Sequence, residues 1–165
     1  MANSNTCEEP KFRQAVREDV PLVLHFIRSI AEYEKLLDQV EATEESLTEW
    51  MFERRLVEVF FIIADGREVG FALYFHNFST FVGRAGLYLE DLYIYPEYRG
   101  RGYGKAAFAR LAQIARERGC GRMEWVCLNW NRPSIDFYLA LGARPMSEWT
   151  TYRLTEDKIG IVAEL

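Results

Sequence analysis

The hydrophobic period of the chain changes several times, and each change predicts a new element. Apolar and polar residues alternate from Phe12 to Val16, which predicts a first strand. Asp19 and Pro21 mark a helix start, and Leu22, Leu24, Phe26, Ile27, Ile30 and Ala31 follow as an apolar stripe reaching to about Leu36. Thr43, with Glu44 and Glu45 behind it, predicts a second helix whose buried side carries Leu47, Trp50, Met51 and Leu56. The apolar run from Glu58 to Ala64, the dipeptide Asp65-Gly66 and a second run from Glu68 to Phe75 predict a hairpin. His76 to Gly86 reads as a polar connection.

A strand, a turn and a helix are predicted next. Leu87, Leu89, Leu92 and Ile94 alternate with tyrosines as in a buried strand, and Pro96 ends its ladder. The turn Arg99-Gly100-Arg101-Gly102-Tyr103-Gly104 precedes Lys105 and a helical stripe of Ala107, Phe108, Leu111, Ile114 and Ala115, which Gly119 closes. Arg122 to Leu128 predicts another strand. Asn129 to Ser134 breaks it, and a short helix follows with Ile135, Phe137, Tyr138 and Leu141 inward and Gly142 at its end. Trp149 to Leu154 predicts a last strand, while Asp157 to Leu165 suits a strand or a short helix equally. The order β-α-α-β-β-β-α-β-α-β describes an α/β chain in which an antiparallel meander leads into a β-α-β crossover, so the central sheet is mixed.

Composition narrows the function. With 165 residues, 49% hydrophobic and 15% aromatic, the chain suits one folded domain, 1–165, with residues 1–10 polar and frayed. A net charge of −5 without a basic stripe argues against nucleic acid and suits a cationic small molecule or plain solubility. Three cysteines, Cys7, Cys120 and Cys127, come without a Cys-x-x-Cys pair or a histidine cluster, so neither a disulfide framework nor a metal site is expected. No apolar run approaches the ~20 residues of a membrane span, and no secretory pattern is visible, so a cytoplasmic location is expected.

The glycine turn is the strongest chemical signal. Glycines at the start of a helix let backbone N–H groups approach a phosphate or diphosphate at the positive end of the helix dipole. The spacing is neither that of a dinucleotide fingerprint nor that of a P-loop. It matches Arg/Gln-x-x-Gly-x-Gly/Ala, and in this it resembles the GCN5-related N-acetyltransferase (GNAT) superfamily. The resemblance extends to Leu89-Glu90-Asp91, to Trp130-Asn131-Arg132-Pro133-Ser134-Ile135-Asp136-Phe137-Tyr138 and to Ala31-Glu32-Tyr33-Glu34-Lys35, which look like the diamine (spermidine/spermine) and thialysine branch. It covers about residues 12 to 154.

This resemblance implies an acetyl-CoA-dependent N-acetyltransferase acting on a primary amine. An alkylamine is mostly protonated at neutral pH, so a base must take its proton before it attacks a thioester. Glu90, a carboxylate on an otherwise apolar strand, is the candidate base, acting through water as the resemblance implies; pairing with an arginine is its plain alternative. A regular strand would aim Asp91 to the opposite face, in a structural role. Tyr138 is the candidate acid for the departing thiolate, since a phenol with a pKa of about 10 suits that transfer. The resemblance implies that acetyl-CoA meets Leu92, Tyr93 and Ile94, the turn Arg99, Gly100, Arg101, Gly102, Tyr103, Gly104 and Lys105, and Asn131, Pro133 and Ser134. A bulge in the strand would leave an amide near Leu92 and Tyr93 free to polarise the thioester carbonyl. Tyr33, Glu34, Glu90 and Glu148 are the implied acceptor residues, carboxylates being suited to a cationic tail. Ser79-Thr80 stands where the polyamine enzymes carry an acidic residue, so a thialysine-type amino acid is as good an acceptor as a diamine or polyamine. A homodimer is implied. Transfer to a protein amine, or acetyl-CoA binding without turnover, are the rival readings.

Overall fold

The computed structural model describes residues 9–165. Cys7 and most of the segment expected to be frayed lie outside them. The chain divides into two compact units, the first ending at Val126 and the second running from Cys127 to Leu165.

The first unit is built on one five-stranded sheet. Its strands are β1 (Lys11–Gln14), β2 (Glu58–Ala64), β3 (Arg67–Ser79), β4 (Arg84–Ile94) and β5 (Arg122–Glu124), side by side in that order. The first four are antiparallel, and β5 runs parallel to β4. Between β1 and β2 lie α1 (Val20–Glu34) and α2 (Glu44–Thr48); α3 (Tyr103–Glu117) links β4 to β5. The predicted meander and crossover are therefore present.

Side-chain alternation makes the sheet two-sided. Phe61, Phe71 and Leu73 join Val20, Val23 and Phe26 of α1 in one core. Phe26 is fully buried and stacks on Phe71 at 5.2 Å and 13°. Burying one such side chain contributes roughly 1.5–3 kcal/mol. Phe60, Ile62 and Tyr74 alternate to the other face and are equally buried. The predicted stripe of α3, from Ala107 to Ala115, is buried, and the helix packs on β4 and β5.

Local chemistry explains most boundaries. The Asp65-Gly66 hairpin has φ of 52° and 73°, the left-handed pair that a two-residue turn between twisted strands requires. Thr43 caps α2 by accepting the Ser46 N–H at 3.2 Å. Asp19 precedes α1 without capping it, because its carboxylate accepts from the Arg13 guanidinium at 2.7 Å and from the Val16 N–H at 2.8 Å. Arg13 also donates to Glu68 at 2.8 Å, which ties β1, β3 and the start of α1.

Several expectations are corrected. His76–Gly86 is not a connection: β3 runs to Ser79 and β4 restarts at Arg84. Ladder bonds do not depend on side-chain polarity, so the outer end of a hairpin carries polar residues without ceasing to be a strand. Beyond α2 the backbone widens into a π-helical turn, Glu49–Glu53, which rotates Trp50 outward under the Arg54 guanidinium; Leu56 beyond it is also exposed. β5 ends at Glu124 instead of continuing to Leu128.

The second unit holds α4 (Arg132–Ala140) and α5 (Glu156–Ala163). Gly142, at φ 87°, follows α4, and the Ala143 N–H closes on the Tyr138 carbonyl at 3.1 Å. Leu141, expected inward, is exposed, as the helix has ended before it. Trp149–Leu154 forms no strand, and Trp149 and Tyr152 are exposed. An alternating pattern supplies propensity but not the neighbouring edge that a ladder needs. The open choice for Asp157–Leu165 resolves as helix, with Thr155 before it.

Candidate active site

The site begins with an irregularity in the sheet. Leu73 of β3 faces Asp91, but Tyr74 faces Leu89, so Glu90 is an extra residue without a partner. Such a bulge bends the strand and breaks its alternation. The expectation that Glu90 and Asp91 face opposite sides belongs to a regular strand, and β4 is not regular there. Glu90 is exposed and Asp91 half-buried. Loss of water around the Asp91 carboxyl, then the charges of Glu90 and Glu34, push its pKa up to about 7. Burial also raises the Glu34 carboxyl above its ordinary value. Asp91, given only a structural role by the sequence, thus shares the bulge with Glu90 as a second candidate for a proton-accepting group.

After the bulge β4 has a free side. β5 pairs only with Gly86 to Tyr88, so among the described residues no strand lines the far edge of β4 from Leu89 to Ile94. Alternate amides over Leu92, Tyr93 and Ile94 point from that edge, the arrangement expected of a donor to a carbonyl. The bulge sits just before these amides. On the opposite edge β3 comes very close: a Cβ on Gly70 would lie 2.4 Å from the Tyr93 carbonyl oxygen, so only glycine fits.

The strand then enters the glycine turn. Pro96–Tyr98 forms one 3-10 turn, and Gly100 and Gly102 take φ of 73° and 85°. Another residue would spend about 1–2 kcal/mol on that conformation. No atom lies within 4 Å of where a Cβ would stand on either glycine, so the turn presents open backbone. Gly102 caps α3, whose first intrahelical bond is the Ala106 N–H to the Gly102 carbonyl at 3.0 Å. The first-turn amides at Gly104 and Lys105 therefore precede the point where helical pairing starts. Gly102, Arg101, Lys105, Ala106 and Ala109 line a groove of about 290 Å³ together with Pro10 and one carboxylate, Glu9, at its side. Open amides, a helix dipole and two cationic side chains fit a diphosphate.

The turn is held from below. Tyr98 is buried, and its hydroxyl accepts from Arg67 Nε at 2.8 Å, just past the Asp65-Gly66 hairpin. Arg101 covers the Tyr98 ring at 4.9 Å and donates to the Glu97 carbonyl at 2.9 Å. Tyr103 is buried, which fixes the helix start. Arg99, itself exposed, folds back over the strand end: its Nε donates to the Ile94 carbonyl at 2.8 Å, and its guanidinium lies 4.6 Å from the Tyr33 ring centre and 5.4 Å from that of Tyr93.

The remaining predicted residues lie in the second unit. Asn131 precedes α4, is buried, and accepts the Ile135 N–H on its carbonyl at 3.0 Å. Its side chain does not cap the helix; Pro133 stands in the first turn, where its missing N–H leaves no bond unmade. Ser134 and Tyr138 are four residues apart and share a helix face, with the Phe137 and Tyr138 rings 5.5 Å apart. Glu148 is exposed in a turn beyond α4. The structure thus gathers Glu34, Glu90 and Asp91 in one unit, and in the other Ser134 and Tyr138 on α4 with Asn131 just before it.

Among the described residues no cluster of His, Cys, Asp or Glu is arranged to hold a metal ion, and no helix is long and apolar enough to cross a membrane. The acetyltransferase (GNAT) family model matches residues 24–143. A thialysine N-epsilon-acetyltransferase of Bos taurus is 39% identical over 154 residues, covering 86% of this chain and 89% of that protein. An L-ornithine N5-acetyltransferase of Arabidopsis thaliana is 27% identical over 201 residues, covering 94% and 88%. Among solved structures, an integron cassette protein from the mobile metagenome of V. cholerae superposes with a TM-score of 0.77 at 25% identity, covering 96% of this chain and 99% of that one.

Proposed function

The chain belongs to the acetyltransferase (GNAT) family and is an N-acetyltransferase, and from this premise we propose that it acetylates the side-chain amine of a small cationic amino acid or diamine, with acetyl-CoA as donor. The observation that carries this reading is the Glu90–Asp91 doublet at the β4 bulge, with Asp91 poised at about 7 on the strand that leads into the glycine turn.

Acetyl-CoA supplies an activated acetyl group as a thioester. The turn from Arg99 to Lys105 would hold its diphosphate, and Asn131, Pro133 and Ser134 its pantetheine arm. An open amide among Leu92, Tyr93 and Ile94 would donate to the thioester oxygen. The doublet takes the ammonium proton: Glu90 meets solvent and the cation, and Asp91, with its pKa near the working pH, is the group that titrates. Tyr138 holds the proton that the departing sulfur needs. Glu34, Tyr33 and Glu148 complete the acceptor residues.

An amino-acid acceptor is favoured over a long polyamine. The relatives named above act, by their names, on thialysine and ornithine. Of the Ser79-Thr80 pair, which the resemblance sets where polyamine enzymes carry a carboxylate, Ser79 is buried, and its hydroxyl accepts the Val82 N–H at 3.2 Å. The family match crosses from the first unit into the second, which supports a single acetyltransferase domain. A cytoplasmic homodimer is the form this reading expects.

Free-thiol release from acetyl-CoA with thialysine, ornithine, putrescine, spermidine and a short peptide tests the reading. Amine-dependent release, fastest with the amino acids, is expected. Tight acetyl-CoA binding without release on any amine would leave a binding module and overturn it; release with the peptide alone would point to a protein substrate.

A further inference from the structure

Arg99 opens the glycine turn, yet its side chain does not extend into the open space around Gly100 and Gly102. It folds back, with Nε on the Ile94 carbonyl at the end of β4 and the guanidinium against Tyr33 and Tyr93. Tyr33 is in the last turn of α1, next to Glu34, and the helix ends immediately after at Lys35, which takes a left-handed φ of 62°. Leu36 N–H then bonds the Ala31 carbonyl at 2.8 Å, so this helix end is a closed, fixed cap. One side chain therefore ties three parts together: the end of the bulged strand, the acceptor-side end of α1, and the residue from which the coenzyme turn departs.

We propose that Arg99 is a positioning residue that couples the acceptor side of the site to the coenzyme side, through its stack on Tyr33. The guanidinium is planar and matches a ring face, and its Nε is a directed donor; a lysine at this place would keep the charge and lose both features. Tyr98 and Tyr103 anchor the turn from below, and Arg99 adds the anchor that reaches across to α1. A change in Tyr33 is therefore felt in the coenzyme turn, and a bound coenzyme stiffens the end of α1 that carries Glu34. The coupling rests on the acetyltransferase reading given above.

The test is a double-mutant cycle read by titration of coenzyme A alone, with no amine present. Tyr33→Leu, which alters no residue of the turn, is expected to weaken coenzyme A binding about threefold to tenfold, the size of one partly exposed cation–π contact. Tyr33→Phe keeps the ring and is expected to restore wild-type affinity, which a loss of general stability in α1 would not explain. Arg99→Lys is expected to weaken binding similarly, and the double variant Arg99→Lys with Tyr33→Leu no further than the worse of the two. Wild-type affinity in Tyr33→Leu, or losses that multiply in the double variant, would overturn the coupling. Wild-type protein that bound no coenzyme A would overturn the acetyltransferase reading itself, and the coupling with it.

Discussion

The Glu34 carboxyl at the end of α1 acts on the Asp91 carboxyl of β4, so a helix end and a bulged strand bring like charges to one place. This is costly for folding and useful for chemistry. The proposed amine acetylation needs a group that accepts a proton near neutral pH, and burial, then the neighbouring Glu90 and Glu34 charges, raise Asp91 into that range.

Removing one neighbour should move the titration in a fixed direction. Asp91 is raised by burial first, then by Glu90, then by Glu34. In Glu34→Gln the like charge is gone, the Asp91 carboxylate forms more easily, and the inflection of kcat/KM against pH is expected to shift to lower pH. The shift is partial, since burial remains. Rates between about pH 5.5 and 9 check this; an unmoved inflection would mean that Glu34 does not act on the titrating group.

The same group should destabilise the fold at higher pH. The folded pKa of about 7 lies above the ordinary value of 3.8, so between those values the folded state holds a proton that the unfolded chain has lost. Stability therefore falls as pH rises through that window. Asp91→Asn, neutral at every pH, is expected to raise Tm above wild type at about pH 8 and to leave it little changed at about pH 4. Thermal melts at the two pH values decide it.

The glycine turn should fail as a binding element before it fails as a fold. Gly102 has φ 85° and open space around it. In Gly102→Val the side chain would fill that space, and coenzyme A affinity is expected to fall by more than tenfold. The conformational strain of about 1–2 kcal/mol should lower Tm by only a few degrees. Titration calorimetry and a melt on the same sample separate the two effects.

Tyr138→Phe removes one hydroxyl from α4 and leaves its ring beside Phe137. Turnover is expected to fall about a hundredfold, with coenzyme A affinity unchanged, as for the loss of a proton donor. Equal turnover would remove Tyr138 as the acid.

Much of the fold was legible because several residues have only one physical use. Gly100 and Gly102 precede a helical stripe and occupy left-handed φ, and Asp65-Gly66 forms the tight hairpin it announces. The buried stripe of α3 follows directly from its spacing, whereas in α1 the spacing finds Leu24, Phe26 and Ala31 but not the buried Val20 and Val23. The bulge was not legible, because an extra residue in β4 leaves the apolar pattern unbroken; Glu90 became visible as extra only once Leu73 and Tyr74 were paired. That one insertion separates the exposed Glu90 from the half-buried Asp91, whose carboxyl pKa burial then raises. Arg99 has a second feature that the sequence does not show: its place in the glycine motif speaks of the coenzyme, while its guanidinium lies on the Tyr33 ring, a contact between segments far apart in the chain. The Trp149–Leu154 pattern lacked what no single segment encodes, a partner edge.

The most direct measurement is the pH dependence of kcat/KM for thialysine acetylation by wild type and Asp91→Asn, side by side. Wild type is expected to rise to a plateau with an inflection near the Asp91 value of about 7. In Asp91→Asn that inflection should disappear and the plateau should drop about a hundredfold. An Asp91→Asn enzyme that kept the same inflection and rate would show that the proton goes elsewhere.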